Sequence, residues 1–147
     1  MQHVNLKDLC EDMLALHLDA ATAKQIDLGL DATPAQAMGH HWLLRELLGN
    51  LADNAVKYTP QGGTVTIRCG VREALPFLEV EDDGPGIAPA ERSRVLERFY
   101  RVPGTSGEGN GLGLAIADEI ARLHHTQLQL GPGANGRGLR VALAFTA

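Results

Sequence analysis

The chain has 147 residues, 44% of them apolar and 21% charged, which suits one globular domain over residues 1–147. A net charge of −5, with Lys7, Lys24 and Lys57 as the only lysines and no basic cluster, argues against a nucleic-acid partner. No window approaches the ~18 uninterrupted apolar residues of a membrane helix, and the opening MQHVNLKDLC lacks the blocks of a signal peptide, so a soluble chain without direct membrane contact is expected.

Residues 5 to 22 read as an amphipathic helix. Leu6, Leu9, Met13, Leu16 and Ala20 recur at helical spacing, and Asn5 stands where an N-cap belongs. Next, QIDLGLD alternates Ile26, Leu28 and Leu30 as a half-buried strand, and ATPAQAMG adds a short strand or loop. The pattern is helical again over residues 41 to 58, with Leu44, Leu47, Leu48, Leu51 and Ala55 facing the core, until Pro60, Gly62 and Gly63 stop it. TVTIRCG and PFLEVED then alternate as two strands around a turn near Glu73 and Ala74. A short helix is expected over residues 89 to 96, a glycine-rich loop and a helix over residues 111 to 123, and a final hairpin in TQLQLG…LRVALAF. Helices and strands arrive in groups, which predicts an α+β layer of mixed or antiparallel sheet covered by helices. Cys10 and Cys69 match no metal spacing and read as buried thiols of a reducing compartment.

Three constellations carry chemistry. In VEDDGPGIAP, Asp82 shares its strand face with Leu78 and Val80, so its carboxylate points toward the core side. There it needs a donor, since an unsatisfied buried polar group costs roughly 2–7 kcal/mol. A ligand amine would serve, with Gly84 and Gly86 letting a flat molecule approach; a surface turn whose acid caps a helix is the alternative. On the long helix, Glu46, Asn50, Asn54 and Lys57 with Tyr58 form one polar stripe beside the leucines. Paired amides suit a hard cation such as Mg²⁺, and a lysine one turn on suits phosphate, although a solvated helix face would read the same. In GEGNGLGLAIADEIARLH, Gly107, Gly109, Gly111 and Gly113 lead into a helix whose free N–H groups favour an anion. That loop is neither a Walker A motif nor G-x-G-x-x-G, because Leu114 stands where the last glycine would be. Together the three are the parts of an ATP·Mg²⁺ site.

LLGNLADNAVKYTP, DDGPGI, ERFYR and GNGLGLAI resemble, in order and spacing, the N, G1, F and G2 boxes of bacterial sensor histidine kinases. Those proteins belong with gyrase, heat-shock chaperone and mismatch-repair ATPases. The resemblance implies a two-layer Bergerat α/β sandwich, a mixed and mostly antiparallel sheet under three main helices, with a short ATP lid at about residues 101–108. It implies that Asp82 accepts the adenine amino group, with Gly84, Gly86 and Ile87 beside the base and Tyr58 lining that side. Asn54 matches the Mg²⁺ ligand, Asn50 the polar residue one turn before it, and Lys57 and Arg101 phosphate contacts. Phe99 matches the anchor of the lid. Gly109, Gly111 and Gly113 match the second glycine loop, with Leu112 and Leu114 packed beneath it.

Two departures stand out. HHT (His124, His125, Thr126) replaces the usual HGG, and Gly138 is followed by Leu139 where Gly-Thr is usual, so a backbone or hydroxyl contact on the adenine side is absent or supplied differently. Hydrolysing members carry a glutamate base where Asn50 stands. An amide cannot take a proton at neutral pH, so the resemblance implies phosphoryl transfer to a histidine, with Glu46 a turn away to assist. None of His3, His17, His40, His41, His124 and His125 begins a phosphoacceptor motif, and they read as solvated or partly packed side chains. The histidine-containing dimerisation domain is therefore expected outside the chain, with a response regulator downstream and a cytoplasmic location, as part of a membrane-anchored sensor. A serine kinase of the anti-sigma-factor type and a non-catalytic nucleotide-binding module are the alternatives.

Overall fold

The alternating and helix-periodic segments condense into two layers. The computed structural model describes residues 1–84, 113–133 and 136–146; the helix expected at 89–96 and the lid at 101–108 lie outside the described residues. The elements in chain order are β1 (Gln2–Asn5), α1 (Leu6–Ala23), β2 (Asp27–Ala32), β3 (Gln36–Gly39), α2 (His41–Tyr58), β4 (Thr64–Arg72), β5 (Leu75–Asp82), α3 (Gly113–Leu123), β6 (Gln129–Pro132) and β7 (Leu139–Ala144).

Five strands form one sheet in the order β2-β4-β5-β7-β6. β2 runs parallel to β4 because α2 crosses between them, and the other neighbours are antiparallel. β1 and β3 form a separate antiparallel pair, from Gln2 opposite Gly39 to Asn5 opposite Gln36. A lone four-residue strand with one buried side chain, Val4, has too little alternation to be read from sequence.

The helices cover one face of the sheet. α2 buries Leu44, Leu47, Leu48, Leu51 and Ala55 as its spacing predicts, against Ile67 of β4 and Leu78 and Val80 of β5 within one core. Each fully buried leucine there contributes about 1.5–3 kcal/mol. α1 begins where expected, with the Asn5 side chain accepting the Asp8 N–H at 3.1 Å. Leu6, Leu9 and Met13 are buried as expected, together with Cys10 and Ala21, whereas Leu16 and Ala20 are exposed. α1 packs on β2, β4 and α2, and that packing does not reach Leu16 and Ala20. Cys10 and Cys69 are both buried and free.

The far face of the sheet carries charge in place of a second apolar layer. Glu79 is 1% exposed and meets Arg68, Arg72 and Arg140, while Arg68 also reaches Glu81 and Asp31. The Arg72 guanidinium lies 4.1 Å from the Phe77 ring centre, which buries the ring on that otherwise open face.

Candidate nucleotide site

Three consecutive acids close β5, and two of them have structural work. Glu81 takes the Arg68 guanidinium at 2.8 Å. Asp83 accepts the Thr64 N–H at 2.8 Å and pins the start of β4. Asp82 is the third. It sits between Val65 of β4 and Leu139 of β7, half-buried. Its Oδ1 accepts the Gly84 N–H at 2.9 Å and the Leu139 N–H at 3.3 Å, so both bonds fall on one oxygen and Oδ2 takes neither. Burial pushes this carboxyl above the ordinary aspartate range. The two backbone N–H groups pull the other way, and the charges of Asp83 and Glu81 add to the rise. A carboxylate held in place, with both of its donors among the described residues on one oxygen, is suited to an incoming amino group.

Backbone crowds this acid from two sides. A Cβ on Gly84 would lie 3.1 Å from Asp82 Oδ1 and 3.2 Å from the Tyr58 carbonyl oxygen. Gly84 is thus where the end of the strand meets the end of α2. Gly138, at φ +76°, lies against the Asp82 peptide so closely that any side chain would overlap the Asp82 carbonyl. The departure at Leu139 is resolved here: its N–H, not a hydroxyl, meets Asp82.

α2 brings the amides. Asn50 and Asn54 are half-buried, Tyr58 likewise, while Glu46 and Lys57 are exposed. Asn50 Nδ2 is buried without a hydrogen-bond partner among the described residues, as is Thr59 Oγ1. Such an orphan costs about 1–3 kcal/mol until something binds it. Lys57 Nζ sits 3.0 Å from Asp53 one turn back, a surface pair that is weak and easily exchanged for phosphate. Among the described residues no group of three or more His, Cys, Asp or Glu side chains is arranged to hold a metal. A hard cation at this end would fall to the amide oxygens of Asn50 and Asn54.

Gly113 opens α3 and Leu114 is buried beneath it. Gly86, Ile87, Phe99, Arg101, Gly107, Gly109, Gly111 and Leu112 lie outside the described residues.

Two residues of this framework escape sequence reasoning. Lys24 ends α1, yet its Nζ donates to the Val56 carbonyl at 2.9 Å and the Lys57 carbonyl at 2.6 Å, capping α2 from 32 and 33 residues away. No local pattern announces such a contact. His124, expected as solvated or partly packed, is 4% exposed and hydrogen-bonded at both ring nitrogens, to Ile120 and His40. Its neighbours Arg122, Leu123 and His125 are exposed, and the missing glycine after it gave no hint of that pairing. His125, exposed at φ +61°, takes the left-handed position that HGG would give to glycine.

A sequence model of the family described as histidine kinase-, DNA gyrase B-, and HSP90-like ATPase matches residues 39–146. The chain belongs to that family. The matched segment runs from the end of β3 to just beyond β7 and includes every site element above. The sensor protein kinase PmrB of Pseudomonas aeruginosa is 45% identical over 94% of this chain, and the sensor protein QseC of Escherichia coli K12 is 37% identical over 90%. The chain spans 29% of the length of each of these relatives. The mycobacterial sensor histidine kinase MprB superposes with a TM-score of 0.86 at 30% identity, covering 98% of this chain and 97% of that one. The α+β sandwich of the histidine kinase ATPase family, with its mixed, mostly antiparallel sheet under three described helices, is therefore the fold of this chain. No described helix is long and apolar enough to cross a membrane.

Proposed function

We propose that residues 1–147 form the catalytic domain of a sensor histidine kinase. It binds ATP with Mg²⁺ and donates the γ-phosphoryl group to a histidine on a dimerisation domain of the same full-length kinase. A response regulator then takes the group onward, and the domain works on the cytoplasmic side of a membrane-anchored sensor.

One observation carries the reading: the backbone-pinned Asp82 carboxylate meets the amide-bearing end of α2 at Gly84. Asp82 takes the purine amino group through Oδ2, with Gly84, Gly86 and Ile87 beside the base and Tyr58 lining its side. Asn50 and Asn54 would hold the cation through their amide oxygens, and when bound it would supply positive charge against the phosphates. Lys57 leaves Asp53 for phosphate, and Arg101 approaches the terminal phosphates from the lid anchored by Phe99. Gly109, Gly111 and Gly113 supply backbone N–H groups to the phosphates, over Leu112 and Leu114. In transfer, the bond from the γ-phosphorus to the bridging oxygen breaks, ADP departs, and a phosphorus–nitrogen bond forms at the acceptor imidazole. Glu46, exposed on α2 two turns from Asn54, assists the acceptor histidine in this reading. Asn50 is no general base, so water is poorly activated and hydrolysis is slow.

The test mixes the chain with labelled ATP and Mg²⁺, alone, with a purified histidine-bearing dimerisation domain, or with a serine-bearing anti-anti-sigma protein. Label is expected on the dimerisation-domain histidine only. Label on the serine protein would establish the serine-kinase alternative. ATP turnover by the chain alone at about 1 s⁻¹ or faster would instead make it a dedicated ATPase.

A further inference from the structure

The His124 imidazole joins two elements that both serve the nucleotide site. Its Nδ1–H donates to the Ile120 carbonyl at 2.8 Å, in the last turn of α3. That fixes the tautomer, so Nε2 is the acceptor for the His40 N–H at 3.0 Å, immediately before α2. The ring meets His40 edge-on at 5.7 Å and Phe145 at 6.4 Å. Gly39 has no side chain for a steric reason, because a Cβ there would come within 2.8–2.9 Å of Leu44 and of this ring.

The two helices pack against each other, with the C-terminal end of α3 at the N-terminal end of α2. The 11 residues of α3 span about 16 Å. The same distance along α2 reaches the turn that holds Asn50. The start of α3, the phosphate-facing end, is therefore level with the amides of α2. Leu114, Ile120 and the small Ala117 and Ala121 pack α3 into the core, and the His124 hydrogen bond adds a directional tie at its C-terminal end.

We propose that His124 is a positioning residue for the triphosphate end of the site: in its neutral form it sets the register of α3 along α2. The assignment rests on the ATP-site reading above. His40, at the N-cap of α2, is the titratable group facing the ring from another element among the described residues; Phe145 and Leu44 are apolar. Arg122 and His125 share its own helix end, with Arg122 paired to Asp118 at 2.9 Å.

The test measures affinity for ATP·Mg²⁺ and for ADP without metal, by calorimetry on the unsubstituted chain, His124→Gln and His124→Asn. Glutamine places a carbonyl oxygen where Nε2 lies and cannot be protonated near neutrality; asparagine is too short to reach. At about pH 7.5, His124→Asn should lose about tenfold in ATP·Mg²⁺ affinity, the scale of one hydrogen bond left unmade, with metal-free ADP changed less than about twofold. His124→Gln should stay within about threefold of the unsubstituted chain. Unchanged ATP·Mg²⁺ affinity in His124→Asn, or equal losses for ADP and ATP, overturns the assignment while leaving the site reading intact. Should His124→Asn not fold, a His124→Gln affinity for ATP·Mg²⁺ more than about tenfold below that of the unsubstituted chain overturns it instead. Failure of the unsubstituted chain to bind ATP·Mg²⁺ overturns both.

Discussion

The two ends of the cleft are built to different degrees of completion. At the end of β5, Asp82 is held by two backbone N–H groups and wedged between the peptides of Gly84 and Gly138. On α2, Asn50 has a buried amide nitrogen with no partner among the described residues, and Lys57 rests on a neighbouring aspartate. The first end has its geometry before any ligand arrives, because neighbouring strands impose it. The second is held only at the helix backbone and leaves polar groups to be satisfied later. Preorganisation cuts the entropy of binding, so the first end should dominate recognition and the second should respond to metal and phosphate.

The largest way to break this contrast is Asp82→Asn. It retains an oxygen for the two backbone donors but loses the charge, and nucleotide affinity should fall about 100-fold or more by calorimetry. The same variant should be no less stable than the parent. For an acid whose folded pKa lies above its unfolded one, the stability contribution is present below the unfolded value and lost as pH rises through the folded value. Near neutrality the ionised group therefore opposes folding, and removing it should hold or raise Tm. A variant that lost both binding and stability would show Asp82 to be structural.

Gly138→Ala comes next. A side chain at φ +76° against the Asp82 carbonyl should cost about 2–4 kcal/mol in urea unfolding and shift Asp82 out of line. Asn54→Ala should cost about tenfold in affinity for ATP with Mg²⁺ and little without it. An equal loss in both conditions would erase the distinction between the ends. Smallest is Asp53→Ala. It frees Lys57 from its surface pair and should improve ATP affinity by no more than about threefold, with ADP affected less.

The polar stripe of α2 and the leucine stripe beside it were legible in the sequence, because an 18-residue helix repeats its faces with little help from outside. The alternation in β4 and β5 was legible too, and so was the placement of Asp82 at the strand end. The exposure of Leu16 on α1, the strand β1 and the depth of His124 were not. Each depends on what packs against it: Leu16 has the same apolar character as Met13, yet only one of them meets a neighbour.

Sequence by itself determined the periodic elements, the four ordered motifs and with them the family, since these rest on local stereochemistry and residue spacing. Tertiary structure decided which of three adjacent acids pair with Arg68 and the Thr64 N–H, which lysine caps α2 and which histidine joins α2 to α3. Those choices follow from contacts between segments 13 to 84 residues apart, where burial and hydrogen-bond competition act and no local pattern reaches.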